Sequence, residues 1–281
     1  RGIWKEEINI TLLDVGQGDG IFIRGPEGKT YLIDGGSSDV SKVGKYRIES
    51  FLKAQGVETI DYVFISHGDF DHISGIREII ERKDVGVAIE TIIFPNRNVW
   101  EENLTNLARL AMKNGVKVVE IIEGQILMEG SMKLKCLAPM IRKNSKSEDI
   151  YEGESNSASM VIQMEYGEFD MLLTGDVEEK GEELLTEVLE NNYTNVSWDV
   201  LKVAHHGSKN SSTEDFLNIV TPAYAIISAG RENFYGHPHE ETLQRLAKVG
   251  SIVLSTQECG AITITTDGKN MKVERYLDGN K

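Results

Sequence analysis

The chain has 281 residues, 40% of them hydrophobic, with 45 acidic against 30 basic side chains and a formal net charge of −15. That is enough apolar material for one substantial core, so a single domain over residues 1–281 is expected, either complete or cut from a longer chain, since the first residue is Arg1 rather than methionine. The acidic balance argues against a broad cationic face for nucleic acid, and no run approaches the ~18 apolar residues of a membrane span.

In chain order, "INITLLDV", "GIFIRG" and "KTYLIDGG" read as three strands, with "GQGDG" and "GPEGK" as hairpin turn chemistry between them. A helix is expected over Val43–Ala54, where Tyr46, Ile48, Phe51 and Leu52 form an apolar stripe. The strand "IDYVFIS" then runs into "HGDFDH". Further helices are expected at Ile73–Arg82, Glu101–Asn114, Glu178–Asn191, Glu214–Val220 and Glu240–Val249. Between them lie the strand-like runs "ETIIFP", "VKVVEII", "MKLKCLA", "SMVIQMEYG", "FDMLLTG", "DVLKVAHH", "AYAIISAG", "SIVLST" and "AITITT".

Two β-rich halves with helices suit two packed sheets covered by helices, and hairpin-linked strands in both halves favour this over a doubly wound parallel sheet. Residues 141–157 are polar and loop-like. Cys136 and Cys259 stand far apart without a CxxC spacing, which argues against a disulfide framework or a thiolate zinc site and makes them buried apolar filler. The N-terminus "RGIWKEEINI" lacks the apolar region of a signal peptide. The chain is expected to be soluble, either cytoplasmic or an extracytoplasmic domain of a longer membrane protein; the oligomeric state is not legible.

All six histidines fall in three short segments, His67 with His72, His205 with His206, and His237 with His239. Each segment follows a strand-like run, where loops at one end of a sheet build sites. His67, Asp69, Asp71 and His72 offer imidazole nitrogen and carboxylate oxygen, the donors of zinc, manganese and iron(II). The competing structural role is a helix cap by Asp69 or Asp71, which explains one aspartate and neither histidine. Asp176 follows an apolar strand in "LLTGDVEE", a position that by itself suits a cap equally well. Strand periodicity would send His205 and His206 in different directions, leaving one of them as a ligand. His237 sits in a rigid Gly-His-Pro turn suited to holding an imidazole over a site, whereas His239 reads as a surface turn residue.

Taken together, "HGDFDH" at 67–72, "TGD" at 174–176 and "KVAHHGS" at 202–208, with "DVGQGD" at 14–19 and "IDGG" at 33–36, resemble the metallo-β-lactamase superfamily. More narrowly they resemble the metallo-β-lactamase-like domain of ComEC-type DNA-uptake competence proteins and their free-standing relatives. The resemblance runs in order from about Asn9 to about Leu277. It implies an α/β fold, a four-layer αββα sandwich, with one or two divalent metal ions at the sheet edges. By position, His67 and Asp69 would hold the first metal, Asp71 and His72 the second, with Asp176 bridging and His205 or His206, here assigned as His206, completing the second. Asp34 would support a ligand from behind, and the glycines of "DVGQGDG" and "IDGG" would serve tight turns under the site.

The chain departs from the commonest superfamily pattern. Asp69 stands where that pattern has histidine, and "ESNSASM" stands where it has a further metal-binding histidine, which puts Asn156, Ser157 or Ser159 at that place. The competence-type subgroup shares both departures. Harder oxygen donors favour manganese, with zinc and magnesium as alternatives. The expected function is a metal-dependent hydrolase, a phosphodiesterase or nuclease acting on DNA through a metal-activated water. Asp71, Asp176, His205 and His237 are its catalytic candidates, and Asn156, Ser159, Lys202 and His237 its substrate contacts, with Lys209 as a further cation nearby. Two other readings are compatible with the residues: hydrolysis of a small ester, such as a phosphorylcholine ester or a lactone, and a non-catalytic metal-binding domain.

Overall fold

The computed structural model describes residues 7–140 and 155–277. Strands β1 (Ile8–Leu12), β2 (Ile21–Arg24) and β3 (Thr30–Ile33) pair antiparallel through the two predicted turns. Next come α1 (Glu49–Ala54), β4 (Thr59–Phe64), α2 (Phe70–Glu81), β5 (Ala88–Phe94), α3 (Glu102–Lys113) and β6 (Lys117–Glu120), and β3 to β6 pair in parallel. The second half begins with β7 (Ile126–Glu129), β8 (Met132–Ala138), β9 (Val161–Tyr166) and β10 (Phe169–Leu173), an antiparallel run. It continues through α4 (Glu179–Asn192), β11 (Val200–Lys202), α5 (Glu214–Val220), β12 (Tyr224–Ile227), α6 (Glu240–Lys248) and β13 (Ile252–Ser255), with β10 to β13 parallel. A short α7 (Thr256–Cys259) leads to β14 (Ile262–Thr266) and β15 (Met271–Arg275).

One sheet has the order β15-β14-β1-β2-β3-β4-β5-β6 and the other β13-β12-β11-β10-β9-β8-β7. Alternation along each strand explains why they stack. Phe169, Met171 and Leu173 of β10 face the inter-sheet core with Ile10, Leu12, Phe64 and Leu134, while Leu172 faces outward to Leu185, Phe216 and Leu246 of the helices. On the other side Val63 and Ile92 face Ile76 and Leu107. The result is the expected αββα arrangement. Cys136 and Cys259 are buried, free thiols. Among the described residues no helix is long and apolar enough to cross a membrane.

Each sheet is half hairpin and half parallel, whereas the sequence reading weighted hairpins throughout. The parallel halves place the site, because strands paired in parallel deliver their C-terminal loops to the same sheet end. Two strands are absent from the sequence reading, β7 and β15. Both are edge strands with little buried surface, so neither carries a strong apolar alternation. The helix expected from Ile73 begins at Phe70, because Phe70 is 65% exposed and Asp71 and His72 turn toward the site, which hides the first turn from any apolar periodicity. Over Val43–Ala54 the first part is a wider π-type turn, Gly44–Ile48, before the α-helix. Residues 141–154 of the expected loop lie outside the described residues.

The turns after β1 and β3 are fitted directly to the start of α2. Asp19 N–H donates to Asp71 O, Gly36 N–H to Asp19 O and Gly35 N–H to His72 O. A Cβ on Gly36 would lie 2.5 Å from the carbonyl carbon of Asp71 and 2.6 Å from the amide nitrogen of His72. Backbone on both sides leaves nothing flexible to yield. Gly36→Ala should therefore lose about 1–3 kcal/mol of stability, as over-packed sites do, and displace Asp71 and His72 together. Thermal unfolding and manganese titration of the variant check this, with both quantities expected to fall.

Candidate metal centre

Five loops meet at one end of the sandwich. The loop after β3 brings Asp34, that after β4 His67 to His72, that after β10 Asp176, that after β11 His205 and His206, and that after β12 Ser228 and, further on, His237. Asp69 is the N-cap residue of α2, yet its side chain makes no capping hydrogen bond. His205 and His206 both adopt left-handed backbone conformations, at φ 47° and 54°. This corrects the strand-based expectation that their side chains diverge. Outside a strand the period of two no longer applies, and both Nε2 atoms approach the same carboxylate oxygen, Asp176 Oδ2, at 3.8 and 3.3 Å.

Hydrogen bonds from behind fix each ring. His72 Nδ1–H donates to Asp34 Oδ2 at 2.9 Å. His67 Nδ1–H donates to Ser66 Oγ at 3.0 Å, and that hydroxyl donates on to Asp34 Oδ2 at 2.6 Å. His206 Nδ1–H donates to the Ser228 carbonyl at 2.9 Å, and His205 Nδ1–H to Glu178 Oε2 at 2.7 Å. With every Nδ1 committed, the Nε2 lone pairs turn to the centre. His237 is the opposite case. Gln17 Oε1 accepts from Gly230 N–H, which orients the amide so that Gln17 Nε2 donates to His237 Nδ1 at 3.3 Å. Its Nε2 therefore carries the proton.

The donors suit a divalent cation. Nε2 of His67, His72 and His206 are buried without hydrogen-bond partners, a costly state unless a cation receives them. His67, His72 and Asp176 form one group with donor atoms within 4.8 Å of one another, and Asp71, His72 and His206 form a second. Asp176 Oδ2 lies 3.2 Å from His72 Nε2, and Asp71 Oδ2 3.4 Å from His206 Nε2. Asp69 is the outlier of the expected set, 44% exposed and 3.7 Å from His67 Nε2.

Protonation follows the same logic. Burial disfavours the charged form of His206, but Asp176 and Asp71 overcome it and hold the imidazolium up to about 10. His72 is likewise raised against burial by Asp176 and Asp34. Burial would raise Asp71, yet His206 close beside it and the charge of His72 bring it to about 2. His237 goes the other way, pushed down to about 4 by burial and by the neighbouring His205, His206 and His239. The carboxylates thus collect protons on the ligand imidazoles, while His237 stays neutral.

Two expected substrate contacts are not available to a substrate. Ser159 is fully buried and its hydroxyl accepts from Asp176 N–H, so it supports Asp176 from behind. Lys202 is 1% exposed, paired with Asp19 and donating to Gly175 O, and so points into the sandwich. Asn156 donates from Nδ2 to Glu178 Oε1 at 3.1 Å. Lys209 is exposed, and His239 accepts at Nδ1 from its N–H, which gives His239 a local structural bond. The sequence reading passed over Asp19, Glu178, Ser66 and Gln17. "DVGQGD" had been read for its glycines alone, although it holds both Gln17 and Asp19.

The chain has known relatives. The family described as Metallo-beta-lactamase superfamily matches residues 13–132. ComE operon protein 3 of Bacillus subtilis (strain 168) is 32% identical over 92% of this chain and 33% of its own length. Competence protein ComA of Neisseria gonorrhoeae is 28% identical over 96% of this chain and 34% of its own length. The chain thus spans about a third of the length of these curated relatives. Among solved structures, the metallo-beta-lactamase fold protein YhfI from Bacillus subtilis superposes with a TM-score of 0.60 at 14% identity, over 92% of this chain and 100% of that one. Residues 13–132 thus match the metallo-β-lactamase superfamily, the chain has the metallo-β-lactamase fold, and along almost all its length it is similar to a part of these two competence-related proteins.

A metal ion at these donors must displace protons from the imidazoles. Protons compete below the raised pKa of His206, so affinity should rise with pH and level off only near pH 10. Manganese affinity is expected to gain at least about tenfold per pH unit between about pH 6 and 9. Titration calorimetry in buffers of different ionisation enthalpy measures the released protons directly; a pH-independent affinity contradicts the assignment.

Proposed function

We propose that this chain is a metal-dependent phosphodiesterase that hydrolyses nucleic acid, with DNA as its first candidate substrate, and that residues 1–281 act as one domain. The observation that carries the reading is the set of unpartnered imidazole Nε2 atoms turned toward a buried carboxylate, in a centre otherwise rich in hard oxygen donors. His67 and Asp176 would hold one divalent ion, with Asp69 at its outer edge, and Asp71, His72 and His206, again with Asp176, would hold a second. Manganese fits this mixture best, with zinc and magnesium as alternatives. When bound, such ions supply Lewis acidity toward a phosphoryl oxygen and acidify a water.

The residues of the chain itself do the rest. Asp34 and Ser66 keep His67 and His72 in one tautomer, so no reorganisation is needed at the moment of reaction. Burial opposes the charged form of His205, but Glu178 and Asp176 raise its pKa, and it is the most exposed of the four converging imidazoles. It is therefore suited to give a proton to the leaving oxygen. His237, neutral and protonated on Nε2, offers a hydrogen bond to a non-bridging oxygen instead of a proton. In a chain of net charge −15 the neutralisation of a phosphodiester has to be local, which the metal donors provide. Resemblance to DNA-uptake competence proteins favours a nucleic acid over a small ester.

The test is to strip the purified protein with EDTA, restore manganese, magnesium or zinc singly, and offer single- and double-stranded DNA and bis-p-nitrophenyl phosphate. Manganese-dependent cleavage should fall at least about 100-fold in Asp176→Asn and in His67→Ala, and about 10- to 100-fold in His205→Gln. Folded variants that keep the wild-type rate refute the site. Bound metal without cleavage of any phosphodiester points to the small-ester or binding-domain reading.

A further inference from the structure

Lys202 is the unusual residue of this centre. Its ammonium is fully buried behind the metal donors, where a lysine is seldom found unless it is paired. It pairs with Asp19, donates to Gly175 O at 3.0 Å and lies 3.6 Å from Asp176 Oδ1. A cavity of about 10 Å³ between Asp19, Asp34, Ser66 and Lys202 has room for one water at most, so the charge is held by protein groups.

Asp19 is itself a candidate ligand. One of its carboxylate oxygens lies within 4.8 Å of donor atoms of Asp176 and His206, the same spacing that defines the other donor groups. Its Oδ1 is buried without a hydrogen-bond partner, 3.7 Å from His206 Nδ1, and Lys202 is bound to Oδ2. It also lies on the Oδ1 side of Asp176, leaving Oδ2 facing His72, His206 and His205.

Resting on the metal centre proposed above, we infer that Lys202 is a positioning residue. It neutralises Asp19 so that this carboxylate stays out of the metal shell, and it occupies the Oδ1 side of Asp176 so that one oxygen, Oδ2, is presented to the ligands. The number of anionic donors at the centre, and hence the strength of metal binding, is set by an internal cation rather than by the donors alone.

The inference makes a prediction about sign that a merely structural ion pair does not. In Lys202→Met, Asp19 becomes an unpaired anion beside the donors, and manganese affinity at pH 8 should rise about tenfold. In Asp19→Asn, the ammonium faces Asp176 alone, and affinity should fall about tenfold. In the double variant the charge is balanced again, and affinity should return to within about threefold of wild type. Affinity is read by calorimetry, with folding checked by circular dichroism. The visible spectrum of the cobalt-loaded protein should change in Lys202→Met as a carboxylate joins the shell, and should stay as in wild type in the double variant.

If Lys202→Met does not fold without metal, Asp19→Asn and the double variant still decide. Asp19→Asn with wild-type affinity overturns the inference, and so does a double variant as weak as Asp19→Asn, which makes Asp19 a ligand. Equal losses in both single variants reduce the pair to a structural one. If the wild-type protein binds no manganese, zinc or magnesium, the metal centre itself is wrong, and that failure is separate from the others.

Discussion

Everything at the centre depends on the buried carboxylate of Asp34. One of its oxygens accepts from both His72 Nδ1 and the Ser66 hydroxyl, and the other accepts from Ser66 N–H. Through Ser66 the same carboxylate reaches His67. One buried anion therefore sets the tautomer of two imidazoles and aims both Nε2 lone pairs at the same space. A buried charge held this way tolerates no slack, which is why the loops around it are built from residues that let backbones touch.

The sandwich supplies that contact. The turn after β1 and the turn after β3 lie against the first residues of α2, and glycines at 18 and 36 let them approach where any Cβ would meet the backbone of Asp71. Parallel strands in both sheets then deliver the remaining loops to the same end. The antiparallel halves contribute mass to the core and little to the site, save for the turn after β1.

The electrostatics divide the imidazoles into two kinds. His72, His205 and His206 face carboxylates and are held toward the protonated form, in each case against the opposing effect of burial. His237 faces other imidazoles and is driven neutral. The same residue type is thus held toward protonation beside Asp176, Asp71 and Glu178 and left neutral where it is buried among other imidazoles, with Asp34 fixing the tautomer of His72 and Gln17 that of His237. Lys202 lies behind them, a buried side chain paired with Asp19 and 3.6 Å from Asp176 Oδ1.

By itself the sequence determined the fold and singled out the histidine and aspartate clusters, because such clusters after apolar strands have few other uses and because the motif order matches the competence-type proteins. It also determined the two-sheet core, since alternation along β1, β4 and β10 is strong. Tertiary structure alone decided what each side chain faces. Lys202, expected as a substrate contact from the adjoining "HHGS" turn, and Ser159, expected from the position of "ESNSASM", both turn inward, because Lys202 at the end of β11 pairs with Asp19 and Ser159 in the loop before β9 accepts from Asp176 N–H. His205 and His206 converge because the backbone leaves the strand conformation there, a choice made by the contacts of the loop. Asp19 and Glu178 enter the site only when distant segments close upon them, and no spacing along the chain encodes a contact made across 183 or, from Glu178 to His205, 27 residues.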